Sequence, residues 1–167
     1  MTTDADARTQ ALARLDVLVG AWSLEANFPG APSGPAGRAT FAWDLDRQFL
    51  VERAEIPHPD APDSLAVIAA DVDGESFTQH YFDSRGVVRV YAMTFADGRW
   101  TLCRDAPDFT PLAFSQRFHG RLEDGDATIT GRWESADDGS TWRKDFDLIY
   151  RRISEPAAGL TRPTGSG

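Results

Sequence analysis

Apolar residues return at every second position along most of this chain, and a period of two marks half-buried strands whose alternate side chains face opposite sides of a sheet. Trp22, Leu24, Ala26 and Phe28 alternate with Ser23, Glu25 and Asn27. Beyond a Gly/Pro/Ala-rich loop at residues 29–37, which cannot hold a ladder, Ala39, Phe41, Trp43 and Leu45 repeat the pattern. Strand-like runs follow at residues 48–56, 64–72, 76–82, 87–95, 99–104, 112–122, 127–135 and 141–153. Ahead of them the period is helical: Ala7, Ala11, Leu12, Leu15 and Leu18 stand behind the N-cap candidates Thr2, Thr3 and Asp4, with Gly20 as the stop. One amphipathic helix is predicted over about residues 4–18.

Asp-Gly pairs at Asp73-Gly74, Asp97-Gly98, Asp124-Gly125 and Asp138-Gly139, with Arg85-Gly86, separate the strands as hairpin turns do. Consecutive hairpins make a meander, and closing the meander removes its edge strands. The expected fold is all-β: a single closed antiparallel up-and-down β-barrel of about ten strands, with one short N-terminal α-helix capping an end. A barrel of that size is wide enough to hold a small molecule. Residues 1–153 are expected to form this domain, and residues 154–167 (SEPAAGLTRPTGSG) a flexible C-terminal tail.

The last hairpin offers a register. Setting Ala136 against Thr141 pairs Glu134 with Arg143 and Arg132 with Asp145 on one face, and Gly131 with Phe146 and Ile129 with Leu148 on the other. Charge pairs then lie outside and apolar pairs inside, each worth ~0.2–1 kcal/mol.

Composition narrows the function classes. The chain has 167 residues, 41% apolar and 26% charged, so it is expected to be a folded domain with one core. The net charge of −9 repels a phosphate backbone, so no nucleic-acid partner is expected. The single cysteine, Cys103, has no internal disulfide partner, and the first residues lack the layout of a signal peptide. A cytoplasmic protein, monomer or homodimer, with no membrane partner is expected, since no apolar run approaches the ~20 residues of a spanning helix. The sequence lacks Gly-x-Gly-x-x-Gly, Walker, His-Glu-x-x-His and Gly-x-Ser-x-Gly motifs, which removes the main support for nucleotide, metalloprotease and α/β-hydrolase readings.

Gly20-Ala21-Trp22, following a helix and opening the first strand, resembles the Gly-x-Trp signature of the calycins, the superfamily of lipocalins and fatty-acid-binding proteins. The resemblance implies that Trp22 closes the barrel floor with a late arginine packed over it, and Arg151 and Arg152 stand at the matching place. Residues 43–51 and 80–91 (HYFDSRGVVRVY) are similar to bacterial calycin-like proteins of unknown function. The final strand, Leu148-Ile149-Tyr150-Arg151-Arg152, lacks the Arg-x-Tyr with which fatty-acid-binding proteins hold a carboxylate; here that motif is Arg89-Val90-Tyr91.

Polar residues on apolar faces are the candidates for chemistry, because burying them unpaired costs ~1–3 kcal/mol. By parity Arg104 lies with Trp100 and Leu102, Gln116 with Phe114 and Phe118, and Arg89 and Tyr91 with Val87, Met93 and Phe95. With Phe41, Trp43 and Tyr81 they compose an apolar site with a few polar anchors, in which an arginine is suited to hold an oxyanion. Two bland readings stand beside this. Glu52, Arg53 and Glu55 are able to neutralise Arg89 or Arg104 structurally, and the apolar Val88, Val90 and Ala92 leave open that Arg89 faces water.

His80 and Glu52 are the acid/base candidates. No metal site is expected, since His80 has no second histidine or cysteine at ligand spacing. Cys103 reads as an ordinary strand residue, and residues 57–63 and 106–110 as cavity rim.

The leading expectation is a binding protein for a small lipophilic ligand, without a cofactor. The alternatives are a cofactor-free enzyme of cyclase or isomerase type acting on a lipophilic metabolite, and a haem-binding barrel similar to nitrobindins. The last needs an inward histidine late in the chain, whereas the latest, His119, alternates with Arg117 and Arg121 and is expected to face solvent.

Overall fold

The computed structural model describes residues 3–32, 34 and 36–153, so the proposed tail at 154–167 lies outside the described residues. Helix α1 spans Asp4–Arg14. Its N-cap Thr3 hydroxyl accepts the Asp6 N–H at 3.2 Å, and the Asp6 carboxylate accepts the Thr3 N–H at 3.3 Å, a reciprocal capping box. The helix is shorter than its periodicity predicts, because Leu15–Leu18 winds into a 3₁₀ turn. Residues three apart eclipse in that geometry, which puts Leu15 and Leu18 on one side, where both are fully buried.

Ten strands follow: β1 Gly20–Asn27, β2 Gly37–Asp44, β3 Phe49–Glu55, β4 Ser64–Ala70, β5 Phe77–Asp83, β6 Val88–Ala96, β7 Arg99–Arg104, β8 Ser115–Glu123, β9 Thr128–Ala136 and β10 Arg143–Ile153. Each pairs antiparallel with its sequence neighbour, and β1 pairs with β10 from Ala21↔Ile153 to Asn27↔Asp147, closing the barrel. The expected architecture is therefore the observed one. No helix among the described residues is long and apolar enough to cross a membrane.

The two ends differ. The β2–β3, β4–β5 and β6–β7 turns gather under α1, tied to it by Arg8 bonding Gln48 and by Arg14 donating to the Phe95 and Gly74 carbonyls. Leu15, Leu18, Trp22, Phe41, Leu50, Ile68, Phe77 and Met93 are packed together at this end, each almost without exposure. It forms a solid floor. The β1–β2, β3–β4, β5–β6, β7–β8 and β9–β10 connections surround the opposite end, the mouth. Both loops expected at a rim, 57–63 and 106–110, belong to that end.

The β9–β10 register differs from the expected one. The observed pairs are Lys144↔Glu134, Phe146↔Trp133, Asp147↔Arg132, Leu148↔Gly131 and Tyr150↔Ile129, with a bulge between Lys144 and Phe146. The extra residue, Asp145, moves every later β10 partner one position along β9, so Phe146 meets Trp133 and Leu148 meets Gly131, where the expected register set them against Gly131 and Ile129. The Phe118 ring lies across Gly131, where a side chain would also meet the Leu148 carbonyl oxygen at 2.9 Å, so only glycine fits opposite Leu148.

Candidate functional site

Inward positions at the mouth carry a cluster of polar groups. On β6 the parity left open by sequence is settled: Arg89, Tyr91, Met93 and Phe95 face in. The Tyr91 hydroxyl donates to Gln116 Oε1 at 2.8 Å, and Arg89 Nη1 donates to the same oxygen at 3.3 Å. The Arg89 guanidinium lies 5.6 Å over the Phe114 ring, and it has no carboxylate partner among the described residues. Burial pushes the Tyr91 hydroxyl above its ordinary pKa, with the Arg89 charge opposing.

Arg104 is the contrast. Its Nε and Nη2 bind Asp108 at 2.7 and 2.9 Å, and Nη2 also reaches Thr110 Oγ1 at 3.0 Å. The two side chains are 3% and 6% exposed. The β6–β7 ladder ends at Ala92↔Cys103, which leaves the Val90 N–H without a strand partner, and Asp108 accepts it at 2.9 Å. Hydrogen bonds from Arg104 and from the Val90 and Thr110 N–H groups hold the Asp108 carboxyl well below the usual carboxylate range. The alternative in which Glu52, Arg53 and Glu55 form a structural network with Arg89 or Arg104 is not the observed one: Asp108, from the adjoining loop, pairs with Arg104.

Aromatic rings wall the mouth. Tyr81 and Tyr91 meet edge to face at 6.4 Å, Tyr91 and Trp133 at 5.6 Å, and Phe28 and Phe146 lie 4.7 Å apart. Tyr81 donates to Asp83 at 2.9 Å, and Asp83 is paired with Arg85 at 2.7 Å. Tyr81, Arg89, Trp133, Phe146 and Leu148 face inward yet stay partly exposed, in contrast to the floor. Solvent therefore reaches the mouth half of the inner face.

Deeper lies a second polar layer. The Tyr150 hydroxyl donates to Glu52 Oε1 at 3.2 Å between β10 and β3. With no cation to offset desolvation, the Glu52 carboxyl is pushed up to about 7. Tyr150 packs 5.8 Å from Trp100 and 6.3 Å from Phe41. Gln79 Oε1 and Trp100 Nε1 are buried without a hydrogen-bond partner among the described residues.

The structure brings Tyr81, Arg89, Tyr91, Arg104 and Gln116 to one end and leaves other candidates elsewhere. Trp43 lies at the floor, donating to Asp16 at 2.8 Å beneath the Arg47 guanidinium, and Phe41 is sealed in the core. His80 is on the outer face between Val67 and Val90, because the inward β5 positions are Phe77, Gln79 and Tyr81. Of the two closing arginines only Arg152 does the work, donating to the Val17 and Val19 carbonyls with its guanidinium 4.1 Å over Trp22. Arg151 has the opposite parity and pairs outside with Glu25 at 2.6 Å.

The histidines do not fit an interior haem. His119 is 53% exposed on the outside near Glu134, His80 faces out, and His58 is exposed on the β3–β4 loop, where Nδ1 accepts the Asp60 N–H at 3.1 Å. Among the described residues no histidine is presented to the interior. Sequence reasoning passed over Gln79 and Tyr150, though both follow from parity, with Phe77 and Tyr81 and with Leu148. It also passed over Asp108, whose role depends on a loop folding back.

The fold and its polar mouth define a ten-stranded up-and-down barrel, plugged at one end by a helix and accessible at the other. Neither a protein-family model nor a curated protein sequence matches the chain. Solved structures do. The crystal structure of Rv2717c from M. tuberculosis superposes with a TM-score of 0.57 at 13% identity, over 86% of this chain and 98% of that one. A redesigned β-barrel covers 86% of this chain and 96% of its own at 8% identity, with a TM-score of 0.46. At that identity the likeness to Rv2717c is one of fold.

Proposed function

We propose that this chain is a calycin-like binding protein whose barrel holds a small, mostly apolar molecule in its mouth half, with an anionic or strongly accepting group of that ligand set against Arg89 and Gln116. Arg89 carries the reading. It faces the partly exposed interior, its guanidinium lacks a carboxylate, and Arg104 beside it is already neutralised. A hydrogen bond to a charged group is worth ~1.5–3 kcal/mol, enough to orient an otherwise apolar ligand. Tyr81, Tyr91, Trp133 and Phe146 supply apolar walls of the kind small-molecule sites use.

The test is displacement of an anilinonaphthalene sulfonate dye from the full chain by dodecanoate and by dodecanol. Dodecanoate is expected to bind the more tightly, and Arg89→Gln to weaken it about tenfold or more while leaving dodecanol little affected. A protein that takes up neither dye nor amphiphile, or an Arg89→Gln variant that binds dodecanoate as well as the parent, overturns the proposal.

A further inference from the structure

A barrel that encloses only hydrocarbon has no use for polar groups below its mouth, yet this one places several there. Glu52 and Gln79 face inward on β3 and β5, and both are buried. Tyr150 reaches Glu52 from β10, while Trp100 reaches Tyr150 and Phe41 from β7. Four strands thus carry buried polar atoms on the inner face below the mouth. Their hydrogen-bonding capacity is not used up among themselves. Among the described residues Gln79 Oε1 is an acceptor with no donor, Trp100 Nε1–H is a donor with no acceptor, and Glu52 has Tyr150 as its one hydrogen-bond partner. A buried polar atom left unpaired costs ~1–3 kcal/mol, so a partner carrying both a donor and an acceptor is favoured there over an alkyl chain.

The layer is also connected to the mouth. Glu52, Ala66, Tyr81 and Arg89 stand opposite one another in a single row across β3, β4, β5 and β6. Three strand spacings separate the ends of that row, about 14 Å along the sheet. The second residue of the row is an alanine, so within the row itself only a methyl group separates Glu52 from Tyr81. An extended ligand with one end at Arg89 has its other end at the depth of Glu52.

We propose that Glu52, Gln79, Trp100 and Tyr150 form a deep subsite for a neutral hydrogen-bonding group, a hydroxyl or an amide, at the buried end of the interior ligand. The ligand class is then an amphiphile polar at both ends: an anion held at the mouth and an uncharged donor-acceptor group held in the core. This rests on the reading of the interior as a ligand site given above. It differs from that reading in excluding a simple fatty acid as the preferred occupant. Glu52 suits the task because burial favours its protonated form, which donates a hydrogen bond as well as accepting one.

Matched pairs of acids provide the test: ω-hydroxy fatty acids of eight to twelve carbons against unhydroxylated acids of the same length, titrated into the full chain and followed by calorimetry. At the best-fitting length the hydroxy acid is expected to bind about five- to tenfold more tightly, the worth of one or two net hydrogen bonds. Gln79→Leu and Trp100→Phe are expected to bring that ratio toward one. The ratio in the parent protein decides the matter even where a variant fails to fold. Tighter or equal binding of the plain acid at every length overturns the deep subsite while leaving interior binding intact, and so does a hydroxyl preference unaltered in both variants. Binding of neither acid overturns both proposals.

Discussion

Replacing Glu52 by glutamine removes a charge while keeping the shape of the side chain and an oxygen for Tyr150. The carboxyl moves from 4.5 to about 7 because it is buried with only a phenol hydroxyl to bond it. A raised pKa means that the folded state holds a proton which the unfolded chain has released. Glu52 therefore withdraws stability as pH rises from about 4.5 through about 7, and the loss then levels off. A shift of that size corresponds to about 3 kcal/mol. Urea denaturation of the parent and of Glu52→Gln, repeated between pH 5 and pH 8.5, reads this directly. Part of the loss precedes pH 5, so the variant is expected to gain on the parent by about 2.5 kcal/mol across that interval, which at ~2 kcal/mol per molar is about 1.2 M in midpoint. Asp16, Asp83 and Asp108, whose pairings lower their pKa values, lose stability only at more acid pH and cancel in the difference between the two proteins. Parallel stability curves for parent and variant would refute the assignment of Glu52 as a buried, cation-free carboxyl.

Two further outcomes concern the frame of the barrel. Asp108→Ala strands the Arg104 guanidinium, and removing one member of a buried pair costs about 3–5 kcal/mol, so thermal melts followed by circular dichroism should fall by roughly 10 °C or more. Joint replacement, Arg104→Met with Asp108→Leu, should recover most of that loss, and a double variant no better than the single would count against the pairing. Gly131→Ala should cost about 1–3 kcal/mol by driving a methyl into the Phe118 ring, and adding Phe118→Leu should cost less than the two single effects together. Strict additivity would show that the two residues do not share that space.

The fold was legible because its two signals are local: alternation sets the face of each residue, and Asp-Gly turns set the connections. Gly74, Gly98, Gly125 and Gly139 all take the positive φ that those turns require. The β2–β3 turn carried no such signal. There Leu45, Asp46 and Arg47 adopt positive φ in succession, held by Asp44 accepting the Leu45 N–H at 2.7 Å and by Arg47 pairing with Asp16 at 2.7 Å. Those bonds depend on α1 lying beneath the turn, so no local pattern discloses them. The β9–β10 register failed for a related reason. A bulge is invisible to pair counting, and the ring that fills the space over Gly131, Phe118, comes from β8 and so lies outside the hairpin itself. Among site residues the direction of Arg104 and Gln116 was readable from parity, but their partners were not. Asp108 reaches Arg104 from a loop, and Tyr150 meets Glu52 across the barrel, so both pairings exist only once the sheet has closed.

Arg89 and Arg104 are both inward arginines near the mouth, yet their hydrogen-bond partners make them respond oppositely to substitution. Arg104 and Asp108 complete one another, so taking either away orphans a buried charge and the cost falls on folding. Arg89 donates to a Gln116 oxygen that also accepts from Tyr91 at the shorter distance of 2.8 Å. Removing Arg89 therefore leaves no buried acceptor without a donor, and its guanidinium is not needed to satisfy any carboxylate. The floor beneath, with Trp22 sealed under Arg152 and the leucines of the 3₁₀ turn packed against it, makes no use of the Arg89 side chain. Of the two inward arginines near the mouth, Arg104 is therefore the one whose loss should be felt in folding, and Arg89 the one whose loss should scarcely be felt there and, on the proposed function, should be felt in binding.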